Sequence, residues 1–444
     1  MNFPKIEFVN HASLIVSNDD VQLIMDPWLD GDAFNGGWRH ISETKLKYSE
    51  FKKITHIWFS HEHPDHFSPK NIFCIPPEVR KGITVLFQET VDKKVSKFCL
   101  KAGFKKVIEL SQDNPFEVGD DFSIMCNPYV GDDSYAYLHV NGYGILNLND
   151  CVVDSRKKAL EIKRRCGKVD VLLTQFGYAD KVGNREDIIL REEASSEKVR
   201  RIVDQNSVFK PNFIIPFASY IYFCHSENAY MNEGFFSIDR VFAELSKCYV
   251  DNLVIMYPGD NWIVGQEWND NSVSITKYIK DLAESLDKEL NYSINIPLED
   301  LIAESTKYAS KLKDYYGVSY FSKLSEVNLA IVLTDLNVKV TLNGLRGLLQ
   351  LTDNSVSTFD VQMSSESLYF ALKNLFGFDT LDVNARYQTL SPSGKQRFDL
   401  IRGVSAAANR CEQWPIPSYF MRIKRRLLFE LNHYRGLILE KMDN

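Results

Sequence analysis

The stretch ITHIWFSHEHPDH, residues 54–66, decides the fold of this chain, because an apolar run leads directly into a cluster of histidines and carboxylates. Imidazole and carboxylate groups are ligands that borderline divalent metals accept. Side chains two residues apart at the end of a strand can converge on one point. We therefore predict that His61 and His63 bind one metal ion, while Asp65 and His66 reach a second ion about 3.5–4 Å away.

Apolar runs and helical segments alternate around this stretch. Residues 6–9, 13–16 and 21–25 have the short apolar or alternating patterns of β-strands, with turn residues between them. Residues 89–102 and 154–166 have helical spacing. Strands that alternate with helices predict an α/β layered domain.

The HxHxDH pattern of residues 61–66 resembles the signature of the metallo-β-lactamase superfamily, over about residues 1–265. The resemblance implies an α/β fold, a four-layer αββα sandwich with two metals at one edge of its sheets. It also implies a bridging Asp just after a strand, which fits Asp150, and a last His on a late loop, which fits His225.

The remaining ligand departs from the superfamily pattern, which has a histidine ahead of the bridging Asp. Residues 126–135 contain no histidine, so the available ligands are Asp132 and Asp133, of which we favour Asp133. A carboxylate here makes the first site richer in oxygen, which suits iron or manganese better than a three-histidine zinc site does.

Two branches of the superfamily are similar in their shorter motifs. Residues 10–13 (NHAS) and 25–29 (MDPWL) resemble the branch with the L-ascorbate-6-phosphate lactonases. Residues 26–38, 146–151 and 216–228 resemble the CMP-N-acetylneuraminate hydroxylase group. That resemblance implies hydroxylation of an N-acetyl methyl group. The group also carries a Rieske domain, whose Cys and His pairs this sequence lacks. If the enzyme oxidises its substrate, electrons must therefore come from a separate electron-transfer protein; the alternative is that the metals carry out hydrolysis.

Three functional hypotheses follow. The first is an iron-dependent oxygenase of an acylated amino sugar, a sugar nucleotide or a similar polar small molecule. This chain resembles the β-hydroxylases of chloramphenicol-type biosynthesis, which have a di-iron site with a carboxylate in place of the third histidine. The second is a zinc- or manganese-dependent hydrolase of a phosphoester, lactone or amide. The third is a non-catalytic binding protein. The first two require two divalent metal ions and assign catalytic roles to Asp65, Asp150 and His225.

Ligating imidazoles usually donate their second N–H to a carboxylate or carbonyl. Asp26 and His11 are candidates for such support, although Asp26-Pro27 is also typical of a plain turn. Other polar and aromatic residues on the expected loops can line the site or simply lie on the surface. The full set of supporting or substrate-binding candidates is His11, Asp26, Trp28, Asn35, Tyr178, Tyr220 and Asp260.

Composition excludes several classes of protein. With 444 residues and 44% hydrophobic residues, the chain is long enough for about three domains and too apolar to be disordered. A net charge of −7 argues against a nucleic-acid coat. There is no transmembrane-length apolar run and no signal-peptide pattern. The eight scattered cysteines predict reduced thiols in a cytoplasmic protein.

We divide the chain into a catalytic domain at residues 1–268, a helical connector at 269–327 and a C-terminal α+β domain at 328–444 that ends in a basic helix. Strands, a helix at residues 365–375 and a strand at 380–387 resemble a sterol-carrier-protein-like module. The alternative is an accessory domain for packing or for assembly into a homo-oligomer.

Overall fold

The computed structural model describes residues 3–268, 270–316, 328–343, 346–350 and 358–411. The chain divides into two compact units. The first comprises Met1–Tyr292 and Asp382–Arg386, and the second comprises Ser293–Leu381 and Tyr387–Asn444. The domain boundaries at 268 and 327 stay a prediction, and the basic C-terminal helix lies outside the described residues.

The strands of the first unit are short. In chain order they are β1 (Lys5–Asn10), β2 (Ser13–Ser17), β3 (Gln22–Met25), β4 (Trp38–His40), β5 (His56–Phe59), β6 (Thr84–Gln88), β7 (Lys106–Leu110), β8 (Phe116–Gly119), β9 (Phe122–Pro128), β10 (Ser134–Val140), β11 (Tyr143–Asn147), β12 (Val171–Gln175), β13 (Phe213–Phe217), β14 (Ile221–Phe223) and β15 (Asn261–Ile263).

Helices connect these strands. They are α1 (Pro69–Cys74), α2 (Pro77–Arg80), α3 (Lys94–Lys101), α4 (Arg156–Lys163), α5 (Ile188–Phe209), α6 (Ile238–Lys247) and α7 (Asn271–Leu286). Serine side chains cap two of the helices: Ser68 accepts a hydrogen bond from the main-chain N–H of Asn71, and Ser155 accepts one from that of Lys158. Such caps satisfy main-chain donors that the first helical turn leaves unpaired.

Two mixed sheets form the body of the unit. Seven strands pair in the order β15-β1-β2-β3-β5-β6-β7, and six in the order β13-β12-β11-β10-β9-β8. Strands β3, β5, β6 and β7 run parallel, as do β11, β12 and β13. A separate ribbon pairs β14 with β4. The carboxyl ends of the parallel strands β5 and β11 lead into the loops that carry residues 61–66 and Asp150.

Side-chain alternation separates the layers. On β5, Trp58 belongs to the core cluster that the two sheets share, whereas Ile57 and Phe59 belong to a second cluster with residues of α1 and α3. The shared cluster also includes Ile162 of α4 and Ile202 of α5. Each sheet therefore packs on helices as well as on the other sheet, and the predicted α/β sandwich is confirmed.

The second unit has its own sheet and core. Its strands are β16 (Asn328–Leu333), β17 (Val338–Asn343), β18 (Gly347–Gln350), β19 (Val361–Met363) and β20 (Gln388–Thr389), paired in the order β18-β17-β16-β19-β20. Its helices are α8 (Leu298–Tyr316), α9 (Ser365–Lys373), α10 (Gly377–Asn384) and α11 (Pro392–Cys411), although residues 382–384 of α10 belong to the first unit. The likeness to a sterol-carrier module stays a prediction.

One predicted strand is wrong. Residues 380–387 fall largely in helix α10, where Phe378 and Leu381 lie one turn apart and are both buried in the core of the second unit. Apolar and polar residues also alternate in this stretch, which is the pattern of a strand, so the pattern alone did not distinguish a strand from a helix. Among the described helices, none is long and apolar enough to cross a membrane.

Candidate metal centre

The loop between β5 and α1 brings the first candidate ligands together. The main-chain N–H groups of His66 and Phe67 both donate to the carbonyl oxygen of His63, which folds the loop back on itself. In the same loop, Nε2 of His61 lies 2.9 Å from Nδ1 of His63. His61, Asp65 and His66 are buried.

His61 and His63 form a potential ligand group with Asp133, whose ligand atoms all lie within 4.8 Å of one another. Oδ1 of Asp133 lies 3.8 Å from Nε2 of His61. The loop between β9 and β10 carries Asp133, and the main-chain N–H of Tyr129 donates to its carbonyl oxygen. Within the described residues, Asp132 belongs to no such group.

Two further groups adjoin the first. One consists of His61, His66 and Asp150, with Nε2 of His66 lying 3.2 Å from Oδ2 of Asp150. The other consists of His11, Asp65 and His66, with Nε2 of His66 lying 3.2 Å from Oδ2 of Asp65. Because neighbouring groups share His61 or His66, the three form one continuous cluster.

His225 lies outside these three groups in the part of the chain that is described. It follows β14, and Nδ1 accepts a hydrogen bond from the main-chain N–H of Glu227. Its Nε2 is buried and has no hydrogen-bond partner among the described residues. Burial, aided by Arg386, lowers the pKa of His225 to about 4, so the ring is neutral. Its role as a metal ligand stays a prediction.

The electrostatics of the cluster are those of a cation site. Burial favours a neutral ring at His66, but the carboxylates of Asp65, Asp150 and Asp26 outweigh it and hold the pKa well above the ordinary value. Burial holds the pKa of His61 well below the usual range. The carboxylates thus attract a proton in the place where a metal ion would bind.

Asp133 has the opposite shift from Asp65. Burial and the nearby charge of Asp150 raise the pKa of Asp133 to about 6. Burial also disfavours the charged form of Asp65, but His66 and His11 overcome it and hold its pKa well below the ordinary value. A cation placed between these carboxylates would relieve the repulsion between Asp133 and Asp150.

Asp26 contacts the ring nitrogen of His66 that faces away from Asp150, as expected for the partner of a ligating imidazole. It is fully buried, and its Oδ2 lies 3.1 Å from Nδ1 of His66. The same carboxylate accepts hydrogen bonds from the main-chain N–H and hydroxyl of Ser60 and from the side chain of Asn149. This arrangement directs Nε2 of His66 toward Asp150.

Three residues around the cluster have left-handed backbone conformations. The φ angles are 44° at His11, 42° at Asp26 and 50° at Asn149. Such conformations are uncommon outside glycine and cluster at functional sites, where the surrounding structure maintains them. Two of these residues, Asp26 and Asn149, follow the carboxyl ends of parallel strands β3 and β11.

The loop that carries the candidates Trp28 and Asn35 is packed against other residues of the first unit. Trp28 is buried, with its ring centroid 3.8 Å from that of His40 and 5.6 Å from that of His11. The carbonyl oxygen of Asn35 accepts a hydrogen bond from Arg386. Trp28 of this loop therefore packs beside His11, a member of the cluster.

Three other candidates are not brought to the cluster. The hydroxyl of Tyr220 donates to the carbonyl oxygen of Met256, and that of Tyr178 donates to the carbonyl oxygen of Met231. Asp260 accepts hydrogen bonds from the main-chain N–H of Tyr257 and, like Tyr220, supports loops of the fold. Their proposed roles toward a substrate stay predictions.

Two residues beside the cluster were missed by the sequence analysis. Gln175, at the end of β12, donates from Nε2 to Oδ1 of Asp150 at 3.0 Å, and its Oε1 accepts a hydrogen bond from the amine of Lys198. Lys198 forms no ion pair within the described residues. Burial and the positive charge of Arg201 lower the pKa of Lys198 to about 8. Gln175 could have been predicted, because it ends β12, the parallel neighbour of the strand that precedes Asp150. No sequence pattern distinguishes Lys198 from the other charged residues of α5.

The residues present fit a pair of divalent metal ions. Buried imidazoles and carboxylates supply the nitrogen and oxygen donors that such ions accept. Oδ1 of Asp65 is buried without a hydrogen-bond partner in the described structure, which is costly for a carboxylate unless a cation satisfies it. Shared residues between adjacent groups are typical of two metals held close together.

No protein-family model matches the chain. A 65-residue segment is 35% identical to cytidine monophosphate-N-acetylneuraminic acid hydroxylase of Cricetulus griseus, covering 14% of this chain and 12% of that protein. The same enzyme of Mus musculus matches at 35% identity over 65 residues, covering 14% of this chain and 11% of that protein. The match thus spans about one eighth or less of these relatives.

Several solved structures are similar to part of this chain. CmlA, a diiron β-hydroxylase from Streptomyces venezuelae, matches with a TM-score of 0.42 and 14% identity, over 59% of this chain and 54% of that chain. The metallo-β-lactamase fold protein YhfI from Bacillus subtilis matches with a TM-score of 0.41 and 13% identity, over 59% and 99%. An isothiocyanate hydrolase from Delia radicum gut bacteria matches with a TM-score of 0.41 and 14% identity, over 58% and 98%. The chain is similar in fold to metallo-β-lactamase-fold proteins, as predicted.

Proposed function

We propose that this chain is a dinuclear metalloenzyme. The observation that carries the proposal is the continuous cluster of ligand atoms built from residues distant in sequence. His61, His63 and Asp133 would hold one ion. Asp65 and His66 would hold the other, and Asp150 would bridge the two. His225 was predicted as a further ligand from the superfamily pattern.

We favour an iron-dependent oxygenase that hydroxylates an acylated amino sugar, a sugar nucleotide or a similar polar metabolite. The carboxylate of Asp133 in the first ligand group supports this choice, because oxygen ligands suit iron better than a three-histidine site does. When bound, two ferrous ions would supply dioxygen chemistry. Hydroxylation by dioxygen consumes two further electrons, so a separate electron-transfer protein is part of the proposal.

The chain's own residues have distinct tasks in this centre. Asp26 accepts the Nδ1 proton of His66 in a hydrogen bond, which leaves Nε2 free as a ligand. Gln175 orients the carboxylate of Asp150. The ammonium group of Lys198, which is held by Gln175, would attract an anionic group of the substrate. Such a group is present in sugar nucleotides and in acidic sugars.

A zinc- or manganese-dependent hydrolase is the second candidate. The observation that favours it is the mixed nitrogen and oxygen donor set, which zinc also accepts. In that case Lys198 would face a phosphoester or another anionic substrate, and no electron donor would be needed.

The test is the metal content of protein purified without chelators or added metal, combined with its optical spectrum. About two irons per chain, with near-ultraviolet absorption, together with substrate-dependent oxygen consumption in the presence of a reductant, would support the oxygenase. Zinc or manganese with a featureless spectrum, and hydrolysis of a phosphodiester, lactone or amide, would support the second candidate. Failure to bind any metal after reconstitution would contradict both.

A further inference from the structure

We propose that Arg386 is a positioning residue for His225 and acts through the carboxylate of Glu227. This inference rests on the proposed function, because His225 is a predicted ligand of the same two-metal centre. Arg386 belongs to the segment Asp382–Arg386 of the first unit. Its side chain is buried, and Nε donates to Oε2 of Glu227 at 2.8 Å. A guanidinium buried in this way requires a paired charge, which Glu227 supplies.

The imidazole of His225 has two neutral forms, and its surroundings distinguish them. Nδ1 lies 3.2 Å from the main-chain nitrogen of Glu227 and 3.6 Å from Oε2 of the same residue. A ring protonated on Nε2 accepts from the main-chain N–H, whereas a ring protonated on Nδ1 faces the carboxylate with its N–H. Only the second form offers the lone pair of Nε2 to a metal ion. A carboxylate partner therefore favours the form that can act as a ligand.

The Nε2 atom of His225 has the surroundings of an atom that awaits a ligand. It is buried and has no hydrogen-bond partner among the described residues. Buried polar atoms without a partner are rare in native structures, because each one costs free energy. A metal ion at Nε2 would satisfy this atom, and the contacts at Nδ1 would stay as they are.

The guanidinium of Arg386 fixes the carboxylate that faces His225. Nε bonds Oε2, which is the oxygen that lies 3.6 Å from Nδ1 of His225. Nη1 donates to the carbonyl oxygen of Asn35 at 2.7 Å, so the planar group is held at two points. A single ammonium group cannot reproduce this fork. We therefore expect Glu227 to turn away from His225 when the guanidinium is removed.

The same segment also bonds the loop beside His63, another predicted ligand. Nδ2 of Asn384 donates to the carbonyl oxygen of Phe34 at 2.9 Å, and the ring of Phe34 lies edge-on to that of His63, with centroids 5.9 Å apart. The carbonyl oxygen of Asn384 accepts from the side chain of Asn228 at 2.7 Å. Asn228 accepts in turn from the main-chain N–H of His225 at 3.0 Å. The segment thus supports the surroundings of two predicted ligands.

A purely structural role for Arg386 would differ in its coupling to Glu227. If Arg386 acts through Glu227, substitutions at both positions remove one interaction, so the double variant binds metal no more weakly than the weaker single variant. Effects of independent residues would add instead. The experiment is calorimetric titration of the metal-free full chain with zinc, for the wild type, Glu227→Gln, Arg386→Met, the double variant and His225→Ala.

Two further variants and one spectrum complete the experiment. Glu192→Gln, whose carboxylate pairs with Arg240 at the surface, is the matched control. Arg386→Lys keeps the charge without the fork, so its affinity should fall between those of the wild type and Arg386→Met, and it replaces Arg386→Met if that variant does not fold. Circular dichroism of each metal-free variant establishes folding. The visible absorption of the cobalt-substituted protein reports the ligands of the metal, which a change in stability alone leaves unaltered.

We expect the wild type to bind two zinc ions and His225→Ala to bind one of them more than about 100-fold more weakly. Glu227→Gln and Arg386→Met should each weaken the same ion by roughly 10–100-fold, with no further loss in the double variant. The cobalt spectra of both should shift toward that of His225→Ala. Unchanged affinity in Glu227→Gln, additive losses, or wild-type affinity in His225→Ala would overturn the inference. A wild type that binds fewer than two ions would instead contradict the proposed function.

Discussion

Oδ2 of Asp26 lies 3.1 Å from Nδ1 of His66, although 40 positions separate the two residues in the sequence. The contact connects the end of β3 with the loop that follows β5, and these strands are parallel neighbours. The imidazole is therefore oriented by the sheet itself rather than by its own loop. Any metal bound at Nε2 of His66 depends on this buried carboxylate.

Replacing Asp26 with Asn should weaken metal binding while the fold is retained. The amide keeps the shape of the side chain but removes the charge that orients His66, and loss of an outer-sphere partner typically costs about 10–100-fold in affinity. Zinc titration would measure the loss, with Asp20→Asn in an exposed turn as the matched control. Unchanged affinity in Asp26→Asn would show that His66 is oriented without it.

Replacing Asp133 with Ala should remove one of the two metal ions, and Asp132→Ala should remove none. Only the first of these carboxylates belongs to a ligand group with His61 and His63. The main-chain carbonyl of Asp132, which accepts a hydrogen bond from Gln88, is unaffected by the substitution. Metal analysis after dialysis measures the stoichiometry. The reverse result would move the third ligand to Asp132.

Replacing Asp150 with Ala should abolish both metal loading and turnover. This carboxylate is the proposed bridge between the two metal sites, and its oxygens lie 3.2 Å from Nε2 of His66 and 3.0 Å from Nε2 of Gln175. The measurements are metal content and activity, with Asp154→Ala, which lies outside the ligand groups in the described chain, as the control. An Asp150→Ala protein that retains two metals would argue that the bridge is elsewhere.

Anion binding should weaken as the pH rises through about 8. The pKa of Lys198 is lowered to about 8 by burial and by Arg201, so the amine is protonated below that pH and neutral above it. Inorganic phosphate binding to the metal-loaded protein is the measurement. Lys198→Met should lower the affinity about 10–100-fold, as expected for loss of a charged hydrogen bond worth about 1.5–3 kcal/mol.

Lys198→Arg provides the control for this pH dependence. Arginine stays protonated far above pH 8, so the fall in affinity near pH 8 should vanish in this variant while binding at lower pH persists. If wild type and Lys198→Arg show the same profile, the titrating group is something other than Lys198.

Two glycines of α11 should respond oppositely to alanine. Gly403 is exposed with open space around it, so Gly403→Ala should raise the free energy of unfolding by about 0.5–1 kcal/mol through helix propensity. At Gly394 a Cβ would collide with the carbonyl oxygen of Asp360, and we expect a loss of about 1–3 kcal/mol. Denaturant unfolding of both variants tests the pair. Equal shifts would refute the packing argument.

Local sequence patterns predicted much of the centre. The ligands of residues 61–66 lie within one short loop, so their spacing alone brings them together. Asp26 was expected from the chemistry of ligating imidazoles, and the structure places it against His66. The contact between Gln175 and Lys198 joins a strand to a helix that is distant in sequence. A single sequence has no local pattern that predicts such a contact.

The predicted strand at residues 380–387 is wrong for an identifiable physical reason. The stretch at residues 380–387 alternates in polarity, yet its apolar residues also recur at helical spacing, and burial of Phe378 and Leu381 selected the helix. The hydroxyl of Tyr220, in a loop expected near the metals, donates to the main-chain carbonyl oxygen of Met256, and its role toward a substrate stays a prediction. Polarity patterns show where an element lies and leave open which partner each polar atom finds.

The assignment of Asp382–Arg386 to the first unit has a consequence for how this chain is made. The guanidinium of Arg386 donates a hydrogen bond to the carboxylate of Glu227, although residues 1–292 of that unit are synthesised far earlier. Domains generally fold as they emerge from the ribosome, beginning at the amino terminus. The first unit, however, must wait for most of the second to be translated before this ion pair can close. The first unit can therefore be completed only after residues 293–381 of the second unit have been synthesised.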